Sequence, residues 1–489
     1  MKKIILSTLF LTFAISISAQ SDVDKVKSTV SKSEIEGHIY FLASDELKGR
    51  QTGSAENKIA AQYLANMLRG YGVKQIKGTN SYFQKVSLKK TSAATKTIFK
   101  AGALHLDKIL TIAPVNTNYT GKAVFLNYGL EEDYKNIDVT GKYVISMIGA
   151  KDNNDIRFAF SKTKEKMALA KKKGAIGFIE ICNVDEATWG RMEHYFNGDK
   201  MDVADKNEDS DVFSHTWIND QKENISAAFE KKNEIDIEMV VEGIQKSDVL
   251  SQNVVGYVEG SDPVLKNEYV IYSAHYDHVG IGKAVNNDSI YNGARDNAVG
   301  TVTVLSAAEN IAKYPTKRSA LFILFTGEEK GLLGSKWYVN HPVLPLHQMV
   351  YCFNSDNGGY NDTSVATIIG LGRTTAQKDI VDATTAFGLK AIDDPAPEQG
   401  LFDRSDNVHF AAKGIPAPTF SMGFTAFDEE ITKYYHQVTD NPDTLDYEYL
   451  FKFFQSYVLA CRNIASNPKT PFWVEGDKYY DAGKKLYQK

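Results

Sequence analysis

The sequence is poor in cysteine, and it has no long apolar run after its first twenty residues. Three cysteines in 489 residues, Cys182, Cys352 and Cys461, stand far apart with no CxxC pair. They exclude a disulfide scaffold and are predicted to be small buried residues, not metal ligands. No later stretch reaches the roughly twenty apolar residues that a membrane-spanning helix needs. The sequence therefore predicts no stable membrane insertion.

The charge balance gives no excess of one sign that would indicate a polyanionic partner. The chain has 56 Lys and Arg against 61 Asp and Glu, for a net charge of −5. Binding to phosphate backbones needs clustered basic residues, so nucleic acid is excluded as a partner. Hydrophobic residues at 43% and charged residues at 24% are typical of a globular protein. This length allows about three domains, or one large domain that carries an insertion.

Several common catalytic signatures are missing. None of the ten histidines is followed by glutamate, so there is no HExxH motif, and there is no GxSxG motif and no phosphate loop ending in GK[ST]. The GxG pairs at 280–282 and 370–372 lack the third glycine of a dinucleotide-binding motif. These absences exclude serine hydrolases, nucleotide-binding proteins and single-motif zinc proteases.

Residues 1–20 have the pattern of a secretory signal peptide. Lys2 and Lys3 precede an apolar run over 4–17, and the small residues Ser18 and Ala19 follow it. The alternative, a membrane anchor, is disfavoured because an apolar run of about fourteen residues is too short to span a bilayer. We therefore expect an exported protein, periplasmic or extracellular.

The pattern of apolar and polar residues changes twice along the chain. Helical spacing over 33–72 is interrupted by a polar break at 48–54, and short β-type runs with a lysine-rich helix at 162–173 follow from about residue 111. The polar stretch 197–210 is predicted to be a solvated loop. The expected organisation is a signal peptide (1–20), a first part of the main domain (21–110), an inserted β-rich module (111–245) and the rest of the main domain (246–489).

After residue 252 the pattern alternates between strands and helices. Residues 269–274 and 320–325 are apolar runs of buried-strand length, 348–353 is a third strand candidate, and 299–313 has helical spacing. Further helices are predicted at 375–387 and 450–464. This pattern predicts an α/β fold with a mixed, mostly parallel sheet flanked by helices. Ligands of such sheets bind beyond the carboxyl ends of the strands.

Acidic and imidazole side chains follow these predicted strands, begin the helix between them or, for His436, lie in a separate later loop. Each motif alone is common in surface turns, but together they are expected at one edge of one sheet. Imidazole and carboxylate ligands without cysteine suit zinc in a catalytic site, and their number suggests two ions that share one carboxylate. Of two adjacent glutamates, one can reach a metal while the other faces the reacting water. The residues are His275, Asp277, His278, Asp296, Glu328, Glu329, Asp356 and His436.

With these motifs in place, the sequence resembles peptidase family M28, the co-catalytic di-zinc exopeptidases of aminopeptidase type. The resemblance begins at LASDELKGR (42–50), continues through NVVG (253–256) and includes every acid and imidazole motif above. The block 111–245 resembles the protease-associated (PA) domain that is often inserted in these enzymes. The resemblance implies the zinc exopeptidase fold with that insertion.

The resemblance also implies roles for individual residues. Glu328 would be the general base, and Asp277 would accept the second imidazole N–H of a zinc-bound histidine. Tyr435 would stabilise the oxyanion, Arg404 would lie near the substrate, and Arg295, where many members have a small or acidic residue, would reshape the substrate rim. The implied ligands of two Zn²⁺ ions are Asp296 as the bridge, His275 with Asp356 on one ion, and Glu329 with His436 on the other.

The leading hypothesis is a zinc-dependent aminopeptidase that hydrolyses peptides through a metal-bridged water activated by Glu328. Three alternatives remain open: a glutaminyl cyclase-like transferase, a glutamate-type carboxypeptidase, and a non-catalytic binding protein on the same fold. The intact set of ligands and base argues against the first and the last. Oligomeric state and side-chain preference are not predicted.

Overall fold

The structure is a computed structural model that describes residues 20–76, 78–106, 108–204, 213–220, 225–229 and 234–488. The described residues form two compact units. One contains the residues up to Lys85 and from Gln252 onward, and the other contains Val86–Ser251. The predicted signal peptide, 1–20, lies outside the described residues except for Gln20. None of the helices in the described ranges is long and apolar enough to cross a membrane.

A mixed sheet forms the centre of the first unit. Its three middle strands, Met349–Ser355, Tyr269–His275 and Ser319–Phe325, run parallel to one another, and antiparallel strands join on either side. The predicted mixed α/β fold is therefore confirmed. The order across the sheet is Lys390–Ile392, Val365–Ile369, Thr419–Met422, Met349–Ser355, Tyr269–His275, Ser319–Phe325 and Lys246–Val258, with the short strand Lys74–Gln75 paired to the last.

The middle strands are continuously apolar because helices cover both faces of the sheet. Side chains alternate between two cores along each strand. Phe322 and Leu324 lie in one core, while Leu321 and Ile323 lie in the other. Burial on both faces explains why these segments lack the polar alternation of a half-exposed strand.

Among the described residues of this unit, ten helices pack around the sheet, and serine or aspartate precedes several of them. Ser31, Ser54 and Asp446 each accept a backbone N–H of the helix that follows, which satisfies a donor otherwise left free at a helix start. The helices are Asp22–Lys27, Lys32–Leu42, Ala55–Gly70, Gly300–Lys313, Leu333–Asn340, Gln377–Ala386, Asn407–Ala412, Glu429–Thr432, Tyr447–Ser466 and Tyr480–Tyr487.

Short helical turns and one hairpin complete the first unit. The hairpin, Gly280–Val285 with Asp288–Tyr291, and the π-type turn Ala294–Val299 lie between the middle strand and helix Gly300–Lys313. The 3₁₀ turns are Asp45–Arg50, Leu265–Asn267, Leu346–Gln348, Leu371–Arg373, Pro397–Gln399, Leu401–Arg404 and Pro442–Thr444.

The second unit is built on an eight-stranded sheet. The order across that sheet is Leu104–Leu106, Lys96–Ala101, Glu234–Glu242, Thr117–Phe125, Tyr143–Met147, Gly177–Cys182, Ser214–Asn219 and Leu110–Ala113. Its helical segments are Glu131–Tyr134, Ile156–Lys172, Glu186–Phe196 and Ile225–Phe229.

Two details of the predicted organisation need correction. The second unit begins at Val86 and not at 111, because strand Lys96–Ala101 pairs with Glu234–Glu242 inside this sheet. The stretch 197–210, expected to be a loop, contains the strand Lys200–Val203, which pairs with the end of strand Phe83–Thr91. The identification of this unit as a PA-type domain stays a prediction.

Candidate metal centre

The middle strands bring their following residues to one edge of the sheet. His275 ends strand Tyr269–His275, and Asp356 directly follows strand Met349–Ser355. Glu328 and Glu329 follow strand Ser319–Phe325. Because these strands are parallel, their carboxyl ends lie together, as the sequence predicted.

Two separate segments complete this edge. Asp296 lies in the π-type turn that leads into helix Gly300–Lys313, where the Asn297 side chain donates to the backbone oxygen of Ser355 over 2.9 Å. His436 follows the short helix Glu429–Thr432 and has a left-handed backbone with φ of 54°. All five predicted ligands thus lie in one place.

The first group of candidate ligands contains His275. Its Nε2 lies 3.2 Å from Asp356 Oδ1 and 3.3 Å from Asp296 Oδ1. Glu328 Oε2 is farther away, at 4.0 Å from the same nitrogen. Glu328 is thus farther from His275 than the two other carboxylates, although it lies close enough to share an ion with His275 and Asp356.

The second group contains His436. Its Nε2 lies 3.1 Å from Asp296 Oδ2 and 3.1 Å from Glu329 Oε2. Asp296 therefore presents one oxygen to His275 and the other to His436. A carboxylate that faces two imidazoles in this way has the arrangement expected of a bridge between two ions.

The distances fit ligands of zinc-sized ions. Zinc lies about 2.0–2.2 Å from nitrogen and oxygen ligands in tetrahedral sites, so neighbouring ligand atoms are roughly 3.3–3.6 Å apart. The four distances among His275, Asp296, Asp356, Glu329 and His436 are 3.1–3.3 Å, at or just below that range. The nitrogen and oxygen donors also suit zinc. The residues present therefore fit the metal, whereas their roles as ligands stay a prediction.

The electrostatics separate the ligand carboxylates from the base. Burial would raise the pKa of Asp296, but the imidazoles of His275 and His436 hold it well below its usual range. Burial and Asp296 would likewise raise the pKa of Glu329, yet neighbouring imidazoles lower it to about 2. Burial and nearby carboxylates instead raise the pKa of Glu328 well above its usual value, although His275 opposes them. Glu328 is thus the glutamate of the pair that more readily takes a proton.

Asp277 contacts different groups from those expected. Its carboxylate accepts the Thr52 hydroxyl over 2.7 Å and the backbone N–H of Glu328 over 3.2 Å. The carboxylate lies 3.9 Å from His275 Nδ1, which instead donates to the Asp277 backbone carbonyl over 3.2 Å. The backbone carbonyl of Asp277, and not its carboxylate, therefore orients the His275 ring, whose Nε2 faces Asp296 and Asp356. The carboxylate holds the segment that carries Glu328.

Arg295 does not lie at the substrate rim, contrary to our expectation. It is buried, and Nη1 donates to Asp440 over 3.2 Å and to the Thr444 hydroxyl over 2.6 Å. Its guanidinium stacks on the Tyr434 ring at 3.6 Å. Arg295 therefore holds the segment that carries His436 next to the turn that carries Asp296.

Tyr435 and Arg404 both line a cleft over the two groups. The Tyr435 ring stacks on His436 at 4.1 Å, and its hydroxyl oxygen accepts from Arg404 Nη2 over 3.3 Å. The cleft wall also contains the apolar side chains of Ile369, Leu401, Phe424, Phe427 and Ile431. The predicted positions of Tyr435 and Arg404 near a bound substrate fit this placement, and their roles stay predictions.

His278 has no predicted role of its own, yet it lies in the second group of candidate ligands. Its Nδ1 donates to Glu329 Oε1 over 2.7 Å, so the other oxygen of Glu329 faces His436. His278 therefore orients Glu329. The position of His278 three residues after His275 is the feature of the sequence that could have indicated this role.

Comparison with known proteins finds a family model that matches part of the chain. Residues 253–459 match the model of peptidase family M28. This segment contains the whole candidate centre.

The chain is also similar to named aminopeptidases. It is 30% identical over 204 residues to Aminopeptidase YwaD of Bacillus subtilis strain 168, and the aligned segment covers 41% of this chain and 42% of that protein. It is 24% identical over 375 residues to a probable leucine aminopeptidase 2 of Aspergillus oryzae, with 70% of this chain and 66% of the relative covered. The alignments thus span less than two thirds of each relative's own length.

Solved structures share the fold. An aminopeptidase from Aneurinibacillus sp. strain AM-1 superposes with a TM-score of 0.64 at 23% identity, covering 92% of this chain and 97% of that one. A zinc aminopeptidase from Bacillus subtilis gives a TM-score of 0.51 at 19% identity, covering 92% and 98%. At these identities the likeness establishes the fold.

Proposed function

We propose that this protein is a zinc-dependent aminopeptidase that holds two ions per chain and releases N-terminal residues from peptides. The observation that carries the proposal is Asp296, whose two oxygens lie 3.3 Å from His275 Nε2 and 3.1 Å from His436 Nε2. Similarity to proteins named as aminopeptidases supports the same conclusion. His275 and Asp356 would hold one ion, Glu329 and His436 the other, and Asp296 both.

Two bound divalent ions would supply Lewis-acid polarisation of the scissile carbonyl and lower the pKa of the attacking water. Glu328 is placed to take that water's proton, since it lines the cleft beside His275 and is not among the nearest ligand atoms. As oxygen bonds to the carbonyl carbon and the C–N bond breaks, Glu328 returns the proton to the leaving amine.

Tyr435 and Arg404 form the opposite side of the reaction site. The Tyr435 hydroxyl lies at the cleft and is held by Arg404. A hydroxyl held in this way can donate to the carbonyl oxygen as negative charge develops there. Arg404 is exposed and adds a positive charge at the cleft entrance.

The apolar wall of the cleft favours an apolar side chain on the released residue. Burying a leucine side chain contributes about 1.5–3 kcal/mol relative to leaving it in water. We therefore expect leucine substrates to be preferred over aspartate substrates by one to two orders of magnitude. Replacing Phe427 by alanine should narrow that preference.

The test compares matched peptides with free and acetylated amino termini, each with and without prior removal of metal by a chelator. Release of leucine from the free peptide alone, lost with the metal and restored by zinc, supports the aminopeptidase. Release from the carboxyl end of both peptides would support the carboxypeptidase. Cyclisation of an N-terminal glutamine would support the cyclase, and binding without turnover would support the binding protein.

We also propose that the chain is exported after removal of residues 1–20. The Lys2–Lys3 pair, the apolar run and the small residues before position 20 support this proposal. Expression of the full chain in a Gram-negative host tests this proposal, because mature protein in the periplasm or medium should begin near Ser21. Protein retained in the cytoplasm with an intact Met1 would argue against export.

A further inference from the structure

The segment 45–52 has an unusual backbone that the metal centre alone does not explain. Lys48, Gly49 and Arg50 are three consecutive residues in the left-handed region, with φ of 44°, 67° and 48°. Residues other than glycine rarely adopt this conformation, and it persists where the surrounding structure imposes it. The surroundings of Arg50 show what imposes it here.

Gly49 is pressed against the hairpin that follows the first ligand segment. A Cβ atom at Gly49 would lie 2.4 Å from the backbone oxygen of Tyr291 and 2.7 Å from that of Gly280. No side chain fits at these distances. The turn therefore approaches the two ends of this hairpin as closely as the backbone allows.

Arg50 uses its side chain to bind four backbone carbonyls. It is 1% exposed. Nε donates to Tyr276 over 2.8 Å, Nη1 to Leu42 over 2.7 Å and also to Asn292, and Nη2 to Gly293 over 3.0 Å. All four acceptors are neutral, and burial lowers the pKa of Arg50 to about 10, so the side chain stays charged at neutral pH.

Three of these carbonyls belong to segments that carry candidate ligands. Tyr276 directly follows His275, while Asn292 and Gly293 lead into the turn with Asp296. One rigid guanidinium therefore joins the end of strand Tyr269–His275 to the turn that carries the bridging carboxylate.

Two neighbouring contacts strengthen the same connection. The Asn292 side chain donates to the Ala43 carbonyl and to Asp45 Oδ1, each over 2.9 Å. The Thr52 hydroxyl donates to Asp277 over 2.7 Å. The motif 42–50 and its continuation to Thr52 thus contact both ligand segments.

We propose that Arg50 is a positioning residue of the metal centre, which sets the distance between His275 and Asp296 without touching either side chain. Thr52 acts in the same way on Asp277. The inference rests on the proposed function for the identity of the metal, but its test measures metal binding and not hydrolysis. Lysine cannot replace Arg50, because its single ammonium group lacks the planar fork that reaches four separated carbonyls.

The test compares Arg50→Lys with a matched control, Arg318→Lys. Arg318 is as deeply buried and donates to Glu268 over 2.6 Å, but it precedes strand Ser319–Phe325, at the end opposite Glu328. Both variants should unfold at lower temperature without metal. Only Arg50→Lys should weaken zinc binding, by about 10–100-fold in competition with a chelator, as loss of a group that orients ligands does.

The visible spectrum of bound cobalt reports on the geometry of the ligands, and a purely structural role of Arg50 would leave it unchanged. We expect the visible spectrum of the cobalt-loaded protein to change in Arg50→Lys and to stay as in the wild type in Arg318→Lys. If Arg50→Lys does not fold, Thr52→Val tests the positioning role of this segment instead, because it removes one hydroxyl at nearly constant volume. It should fold and bind zinc more weakly than the wild type.

Wild-type zinc affinity and an unchanged cobalt spectrum in folded Arg50→Lys would overturn the proposal and leave the proposed function standing. If Arg50→Lys does not fold, wild-type affinity in Thr52→Val would overturn it. Failure of the proposed function would give a different result, in which the wild type binds zinc but releases no amino acid. The comparison of zinc affinities would still decide the role of Arg50.

Discussion

Replacing Glu328 with glutamine should separate metal binding from hydrolysis. The change keeps the side-chain shape and removes one negative charge. The nearest ion partner of Glu328 among the described residues is His275 at 4.0 Å, and its backbone N–H still donates to Asp277. The ligand atoms of His275, Asp296 and Asp356 lie closer together than that, at 3.2–3.3 Å, so the ligand set is left intact.

The expected magnitude follows from the loss of a general base. Proton transfer by a positioned side chain contributes about 10²–10⁴-fold, or roughly 3–5 kcal/mol of activation free energy. The metal-free variant should be at least as stable as the wild type, because Glu328 lies among the like charges of Glu329 and Asp356. We thus expect lost activity without lost stability.

The assay measures kcat for leucine p-nitroanilide, metal content and thermal unfolding on the same samples. Glu329→Gln is the matched control, since the neighbouring glutamate should lose metal together with activity. Activity of Glu328→Gln within about tenfold of the wild type would refute its role as the base. Loss of metal to the extent seen in Glu329→Gln would show that Glu328 is a ligand.

Three further predictions concern stability. Arg295→Met should destabilise the protein by about 3–5 kcal/mol, because it leaves the buried Asp440 carboxylate without its charged partner. Adding Asp440→Asn should recover part of that loss. Additive effects of the two substitutions in a double-mutant cycle would contradict the pairing. Lys166→Met should destabilise the second unit by a similar amount, since Lys166 and Glu180 form a fully buried ion pair, and an unchanged unfolding transition would contradict this. Burial and repulsion from neighbouring charge raise the pKa of Glu309 to about 7, so its stabilising contribution is present below about pH 4.5 and is lost as the pH rises through 7. Glu309→Gln should therefore raise the unfolding temperature at pH 8 more than at pH 5, and an equal shift at both would contradict the assignment.

The sequence predicted the sheet well where the apolar pattern is continuous. The run 320–325 lies within strand Ser319–Phe325, and the helix predicted at 299–313 is Gly300–Lys313. Burial on both faces gives these strands a signal that does not depend on neighbours elsewhere in the chain. The three cysteines are buried and unpaired, also as predicted.

The boundary of the second unit could not be read in the same way. Strand Lys96–Ala101 has the sequence KTIFKA, which shows no regular alternation of polar and apolar residues, and its partner Glu234–Glu242 lies far along the chain. Pairing between distant strands leaves no local pattern that marks where a unit begins. The composition change near 111 therefore placed the boundary too late.

The gathering of the ligands was predictable, but the contacts that hold them were not. Strand ends of a parallel sheet meet at one edge whatever the loops do, which brought His275, Glu329 and Asp356 together. The partners of Asp277, Arg295 and Arg50 depend on how those loops pack, and the spacing of the residues carries no information about that packing. Arg295 in particular holds the His436 segment, although its position next to Asp296 suggested the cleft rim.

The number of metal ions per chain tests the central claim most directly. Purified wild-type protein, dialysed against zinc and then against metal-free buffer, should retain about two ions per chain by elemental analysis. Asp356→Asn should retain about one, and Asp296→Asn should retain fewer than Asp356→Asn, because Asp296 faces both imidazoles. One ion or none in the wild type, or equal retention in the two variants, would contradict a centre of two ions bridged by Asp296.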